Sequence, residues 1–344
     1  MVSFTNEPTR STDPAPAENT RFVKGFETGL DVIGDVHGEL GKLEALLGRL
    51  GYVRTSGSWA HPERLAVFVG DLIDRGPEQV RTVQTVRSMV ESGAARIVMG
   101  NHEFNALGWM TANPAVEGDT LRQRLGGKGA VHRSQHQSFL DEVGEGSPLH
   151  WEILDWFRTI PLHLDLGVAR VVHACWDEPS IELLSRSVTP DQALDEEILV
   201  ALHDKSQPLG LALETVVKGP EFRLGDDLAY LDKDGNPRRK ARHAWWSPPG
   251  CSMRDALVLP GGSLRIDGSP HPGFPEDPLA DAPVQPYQSS VPVFFGHYWF
   301  TGVPSPKSAV IAGVDYSAAK GGPLVAYRFD GEAVLDAAKF VASS

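Results

Sequence analysis

Cysteine is almost missing from this chain: Cys175 and Cys251 are the only two in 344 residues. Two distant thiols give no disulfide framework and no CxxC pair, which excludes a disulfide-stapled scaffold and a thiolate metal cage and fits a reducing compartment. Both are read as free, buried thiols. Long apolar runs are missing too, since no stretch reaches the ~18 apolar residues that a membrane helix needs. The opening "MVSFTNEPTRSTDPAPAENTRF" carries Pro, Ser, Thr and charge without an apolar centre, so a signal peptide is excluded and residues 1–27 are expected to be a disordered leader. A cytoplasmic protein with no membrane partner is the expectation. Positive charge is in deficit as well. With 32 Lys and Arg against 45 Asp and Glu, the formal net charge is −13, a field that repels a phosphate backbone and excludes a general nucleic-acid binder while leaving room for a local basic cleft.

What is present reads as alternating strands and helices. "LDVIG" (30–34), "RLAVFVG" (64–70) and "ARIVMG" (95–100) are short Val- and Ile-rich runs of the kind buried on both faces. Between them, "ELGKLEALLGRLG" repeats leucine at 40, 43, 46, 47 and 50, and "PEQVRTVQTVRSMVESG" repeats apolar side chains at 80, 83, 86, 89 and 90. This is a βαβαβ pattern, which predicts a parallel unit over residues 28–103 with right-handed crossovers. In such sheets chemistry gathers beyond the carboxyl ends of the strands. Those ends read "GDVHG" (34–38), "GDLIDRG" (70–76) and "GNHE" (100–103), each a glycine followed at once by a metal-competent oxygen: Asp35, Asp71 and Asn101. Asp35 and His37, two apart on an extended segment, would point to one side and suit a divalent cation. A single such pair is ordinary turn chemistry, but three in register are a specific signal.

With these blocks the chain resembles the calcineurin-like metallophosphoesterases, and within them the phosphoprotein phosphatase branch in a bacterial style. The signature GDxHG, GDxxDRG and GNHE is matched at every position, and "VARVVHACW" (168–176) and "VPVFFGHYWF" (291–300) look like the two later histidine-bearing strand ends. The resemblance covers most of residues 28–175 and 291–330. It implies two divalent ions, with Asp35 and His37 on one, Asp71 bridging, and Asn101, His173 and His297 completing the other. It also implies in-line attack on phosphorus by a metal-bridging hydroxide. His102 would be the general acid, with Asp74 orienting it. Arg75 and Asn101 would hold phosphate oxygens. Mn2+ is the first expectation, and carboxylate, amide and imidazole ligands also accept Fe, Zn or Co. Glu103 is expected to brace a ligand or a backbone group. Where the wider superfamily often has GHxH, this chain has "GHYW", with Trp299 in place of the last histidine.

The implied fold is an α/β layered sandwich: two stacked mixed sheets flanked by helices, with parallel strands from the first half and mainly antiparallel strands from 161–175 and 291–330. One catalytic domain is expected over 28–344, with an insertion at about 177–290 roofing the cleft. That segment holds helix-like "DQALDEEILVALH" and "PLGLALETVV", a basic "NPRRKARHAWW" and an irregular Pro-rich stretch. Lys218, Arg238, Arg239 and Arg242 are its candidates for a second phosphate clamp. His132 and His136 are read as a polar surface helix, Trp151 and Trp156 as core, and Asp315 as a support for His297 or a nearby loop.

The expected activity is a phosphatase acting on phosphoproteins or small phosphoesters. A diadenosine polyphosphate hydrolase is the alternative, and an inactive metal-binding interaction module a third reading. An idle relative would lose ligands freely, and here every one is present. Asp74 and Glu103 favour the phosphatase, because symmetrically cleaving dinucleoside tetraphosphatases usually lack an acid at the first position and read GNHD at the second. The SAPNYC block of eukaryotic serine/threonine phosphatases is missing.

Overall fold

Three short Val- and Ile-rich runs make the parallel heart of a five-stranded sheet. The computed structural model describes residues 29–188, 193–232 and 235–343, so the expected leader at 1–27 lies outside the described residues. Strand Leu30–Ile33 pairs in parallel with Leu65–Phe68, which pairs in parallel with Ala95–Ile97. Helices Leu40–Leu50 and Gln79–Glu91 fill the two crossovers, burying Leu43, Leu46, Leu47 and Leu50 from the first and Val83, Val86 and Met89 from the second. Val325–Phe329 adds antiparallel to Leu30–Ile33, and Phe340–Ala342 antiparallel to Val325–Phe329.

The second sheet has the order Ile311–Gly313, Val293–Phe295, Arg170–Val172, His163–Asp165. Its first three strands are mutually parallel and only His163–Asp165 is antiparallel. The expectation of mainly antiparallel strands over 161–175 and 291–330 holds for His163–Asp165 and Val325–Phe329 and is corrected for Arg170–Val172, Val293–Phe295 and Ile311–Gly313, which run parallel to one another. Long connections separate Val172 from Val293 and Phe295 from Ile311, and such crossovers permit parallel pairing where a tight hairpin would not. Both sheets are mixed, and they stack. Leu30, Val32, Val67, Tyr327 and Phe329 of the first meet Val171, Phe294 and Ala312 of the second in one apolar layer. The alternate residues Ile33, Phe68, Ile97, Val172 and Phe295 turn to the helices on the outer faces.

The segment 177–290 has two characters. Helices Glu178–Ser187, Glu196–His203 and Pro208–Lys218 bury Ile181, Leu184, Leu199, Leu202, Leu213 and Val216 in the same cluster as the helices of the first half. Beyond them, Leu224, Tyr230, Ala241, Leu257 and Phe274 form a small cluster of their own among short strands. Residues 269–287 hold no helix or strand, as their proline content predicts. Two burial expectations are corrected. On helix Pro148–Phe157, Trp156 is buried with Ile153 and Phe157, but Trp151 falls on the outer face and is 42% exposed. Cys175 is buried, whereas Cys251 is only half-buried. No helix among the described residues is long and apolar enough to cross a membrane.

Candidate metal centre

The three strand ends converge, although not as extended chain. Strand Leu30–Ile33 stops before Gly34, and His37 has φ 48, so Asp35 and His37 project from a tight turn and the same-side argument for an extended segment does not hold. Asp71 (φ 53), Asp74 (φ 69) and Arg75 (φ 76) are also left-handed, a conformation that costs non-glycine residues about 1–3 kcal/mol each. Local hydrogen bonds hold it. The N–H groups of Val36 and His37 both donate to the Asp71 carbonyl, at 3.1 and 2.8 Å, and Gly38 donates to the Leu72 carbonyl at 2.7 Å. Crowding explains two of the signature glycines: a Cβ on Gly100 would lie 2.2 Å from the Asp71 nitrogen, and one on Gly296 2.1 Å from Asp35 Oδ1.

Glu103, on the first turn of helix Asn101–Met110, ties these turns together. Its Oε2 accepts the N–H groups of Asp71 at 2.8 Å and Gly100 at 3.1 Å, and its Oε1 accepts that of Leu72 at 2.7 Å. Burial, with the charge of Asp71, pushes its carboxyl up to about 7. The expected brace is thus a backbone one.

Two sets of ligand-competent side chains share Asp71. His37 and His102 stand on one side of it and His173 and His297 on the other, with the donor atoms of each set within 4.8 Å of one another. Asp71 Oδ2 is 3.6 Å from His37 Nε2 and 3.8 Å from His102 Nε2, and its Oδ1 is 3.4 Å from His173 Nε2. Asn101 Oδ1 lies 3.2 Å from His173 Nε2. Asp35 joins neither set; its carboxylate accepts the main-chain N–H of His297, at 3.1 Å to Oδ2.

These side chains fit a pair of cations. His37 Nδ1 donates to the Ile73 carbonyl at 2.8 Å and His173 Nδ1 to the Val69 carbonyl at 2.6 Å, which turns both Nε2 atoms toward Asp71. His297 Nε2 is buried without a hydrogen-bond partner. Burial, His102 and Arg75 lower His37 to about 3, and burial with Arg242 lowers His297 well below its usual range, so both rings stay neutral, each with an Nε2 lone pair, that of His37 facing Arg75. Burial and the nearby Asp315 and Asp71 push the Asp35 carboxyl up. Burial disfavours charge on His173 too, yet Asp71 and Asp35 raise it to about 10. Buried oxygen and imidazole donors without thiolate suit divalent ions of intermediate hardness.

Beside Asp71 lies a second constellation. His102 Nδ1 hydrogen-bonds Asp74 Oδ2. The guanidinium of Arg75 spans the two imidazoles, with Nη1 2.7 Å from His37 Nε2 and Nη2 3.3 Å from His102 Nε2. His136 corrects the surface-helix reading: on helix Gly126–Val143 it is 2% exposed and its Nδ1 donates to Asp74 Oδ1 at 2.7 Å. His132 stays half-buried on the Gln123 carbonyl at 2.9 Å. Gln79, unremarked in the sequence, accepts the Asp74 N–H at 2.6 Å. The four candidate clamps separate as well. Arg238, Arg239 and Lys218 are held by Asp232, Asp226 and Glu214 at 2.9, 2.8 and 2.5 Å. Arg242 instead stacks 4.4 Å from the centre of the Trp299 ring, and its Nη1 is 3.5 Å from the His297 carbonyl. Asp315 supports the loop, accepting the N–H groups of Trp299 at 3.0 Å and Ser317 at 2.9 Å.

The chain is similar to several known proteins. A curated bis(5'-nucleosyl)-tetraphosphatase PrpE [asymmetrical] of Oceanobacillus iheyensis is 33% identical over 146 residues, which are 42% of this chain and 54% of that protein. The one from Bacillus subtilis is 40% identical over 85 residues, 24% of this chain and 35% of that protein. The chain thus matches about half the length, or less, of these relatives. Among solved structures, a protein serine/threonine phosphatase from Saccharomyces cerevisiae covers 92% of this chain and 78% of its own at 12% identity, with a TM-score of 0.47. A cold-active protein-tyrosine phosphatase of a psychrophilic Shewanella covers 92% and 80% at 16% identity, with a TM-score of 0.46. The family model for calcineurin-like phosphoesterases matches residues 30–209, a little over half of the sequence. The chain belongs to the calcineurin-like phosphoesterases.

Proposed function

We propose that this protein is a metal-dependent phosphoric ester hydrolase whose centre is the shared carboxylate of Asp71. Asp35, His37 and Asp71 would hold one divalent ion, and Asp71, Asn101, His173 and His297 the other, with Mn2+ the first candidate. Two bound ions supply positive charge to phosphoryl oxygens and acidify the attacking water. Arg75 offers its planar fork to the phosphoryl group, helped by the Asn101 amide, and must leave His37 Nε2 when that nitrogen takes an ion. Arg242, alone of the four candidate clamps in lying against the His297 loop, is assigned as the second phosphate grip. His102 gives its Nε2 proton to the leaving oxygen while Asp74 holds Nδ1 and stays ionised. Burial alone would raise the Asp74 carboxyl, but His136 and His102 hold it well below its usual range.

The observation that carries the reading is the His102–Asp74 pair set beside Asp71, because a positioned acid serves poor leaving groups such as the alkyl oxygen of a phosphomonoester. That favours phosphoproteins or small phosphoesters as substrates. The names of the curated relatives favour a second reading, dinucleoside polyphosphates. Asp74 and Glu103 speak against symmetrical cleavage only, whereas these relatives are designated asymmetrical. A substrate panel with added Mn2+ decides: phosphopeptides, alkyl phosphates, nucleotides and diadenosine tetraphosphate are compared by kcat/KM. Preference for the monoesters supports the first reading and preference for the dinucleotide the second. No turnover of any of them by protein carrying two metals per chain would return the site to a metal-binding interaction module.

A further inference from the structure

The carboxylate behind His102 is shared. Asp74 Oδ2 takes His102 Nδ1, and Asp74 Oδ1 takes His136 Nδ1 at 2.7 Å. The Asp74 main-chain N–H is held by Gln79 Oε1 at 2.6 Å. Both carboxylate oxygens and the backbone are therefore fastened, at a residue whose φ of 69 the chain would otherwise avoid. An ionised carboxylate only accepts, so His136 Nδ1 carries a hydrogen, and the neutral tautomer then leaves Nε2 as a lone pair. That matches the buried, unpartnered Nε2 seen here, since no donor is stranded. The ring itself is wedged, 5.1 Å from Phe139 and 6.2 Å from Trp109 between centroids.

We propose that His136 is a positioning residue for the acid step: by fixing Asp74 Oδ1 it sets the plane of the carboxylate, and through it the tautomer and direction of the His102 ring. The proposal rests on the reading of His102 as general acid. In that step the water oxygen forms a bond to phosphorus, the bond to the leaving oxygen breaks with its electron pair, and that oxygen takes the proton from His102 Nε2. One proton of the attacking water passes to solvent and the other stays on the new phosphate oxygen, His102 regains its proton from solvent, and Asp74 keeps its charge throughout. Without His136, Asp74 Oδ1 is a buried acceptor without its donor, the carboxylate turns more freely, and His102 Nε2 points at the leaving oxygen for less of the time.

Two readouts test this on the full chain loaded with Mn2+ for kinetics and metal-free for NMR. In protein with 15N-labelled histidine, wild type should give, besides the Nδ1–H signals of His37 and His173 on their carbonyls, two slowly exchanging downfield Nδ1–H signals from the rings bound to Asp74. His136→Leu should remove one and move the other, which belongs to His102, while His136→Asn, whose amide nitrogen sits where Nδ1 does, should leave the His102 signal in place. In kinetics, His136→Leu should lower kcat about tenfold for an alkyl phosphate, part of the ~10²–10⁴ available from general acid catalysis. The loss for p-nitrophenyl phosphate should be under about twofold. His136→Asn should restore the alkyl rate, and adding His136→Leu to Asp74→Asn should cost nothing further. If the leucine variant does not fold, His136→Gln, which carries its amide one carbon too far, replaces it. An unmoved His102 signal, or equal losses on both esters, overturns the proposal. If wild type hydrolyses neither ester while the NMR pattern appears, the hydrolase reading has failed and the positioning has not. If His102→Asn separates the two esters and no His136 variant does, the positioning alone has failed.

Discussion

Around Asp71, His173 and His297 are 0% and 5% exposed, with His173 Nε2 turned to Asp71 and Asn101 and His297 Nε2 without a partner. On the other side, His37 and His102 both face the guanidinium of Arg75. The first pair can take an ion with its rings where they stand. On the second side His37 can take one only when Arg75 gives up its Nε2. In the proposed reading, filling that side would free the arginine for a phosphate oxygen and would link metal loading to substrate grip through one side chain.

The widest test removes what both sides share. Asp71→Asn should lose at least one metal per chain and lower kcat by more than about 100-fold, with far-UV circular dichroism unchanged. Metal analysis of the purified variant checks it, and two metals retained would end the bridging role. Next, Arg75→Ala should raise KM about 10- to 100-fold through the lost bidentate grip, and should tighten ion binding on the His37 side alone. Isothermal titration with Mn2+ reads the second effect; unchanged affinity on that side would mean the two roles of Arg75 are unlinked. A smaller effect is expected at the brace beneath both sides. Glu103→Gln turns one acceptor into a donor facing backbone N–H groups and should cost about 1–3 kcal/mol of stability, measured by denaturant unfolding of the metal-free protein.

The mildest test uses pH. In the metal-free protein His173 is raised to about 10 from its ordinary 6.5 by Asp71 and Asp35, against the effect of burial. Its contribution to stability is complete below pH 6.5 and is lost as pH climbs through about 10. Asp35, whose carboxyl burial pushes up, loses stability in the same direction from the acid side. The Tm of chelated protein should therefore fall relative to the metal-loaded form between about pH 7 and 9.5. Parallel curves in thermal melts with and without chelator would contradict it.

The parallel core and the convergence of Asp35, Asp71 and Asn101 on one edge were legible because strand ends are local features: an apolar run, a glycine, a ligand. Sheet membership later in the chain was not, since the choice of Val325–Phe329 to pair with Leu30–Ile33 depends on which edge is open, and no short window records that. His136 was missed for a different reason. Its helix buries Gly129, His136, Phe139, Leu140 and Val143, a 136, 139/140, 143 stripe present in the sequence, but the polar residues around the histidine read as a solvated surface. Arg242 could not be separated from Arg238 and Arg239 by type or spacing, because their difference lies in partners: the outer two meet Asp232 and Asp226, which belong to other turns.

Trp299 stands 37% exposed with φ 46, its ring against the Arg242 guanidinium and with Lys320 Nζ 3.8 Å from its centre. A cation on an indole alters the light that the indole emits, and a phosphate that draws Arg242 away alters it again. If Arg242 takes the phosphate as proposed, the protein carries a built-in optical gauge of occupancy at the cleft, readable beside its seven other tryptophans without attaching any dye.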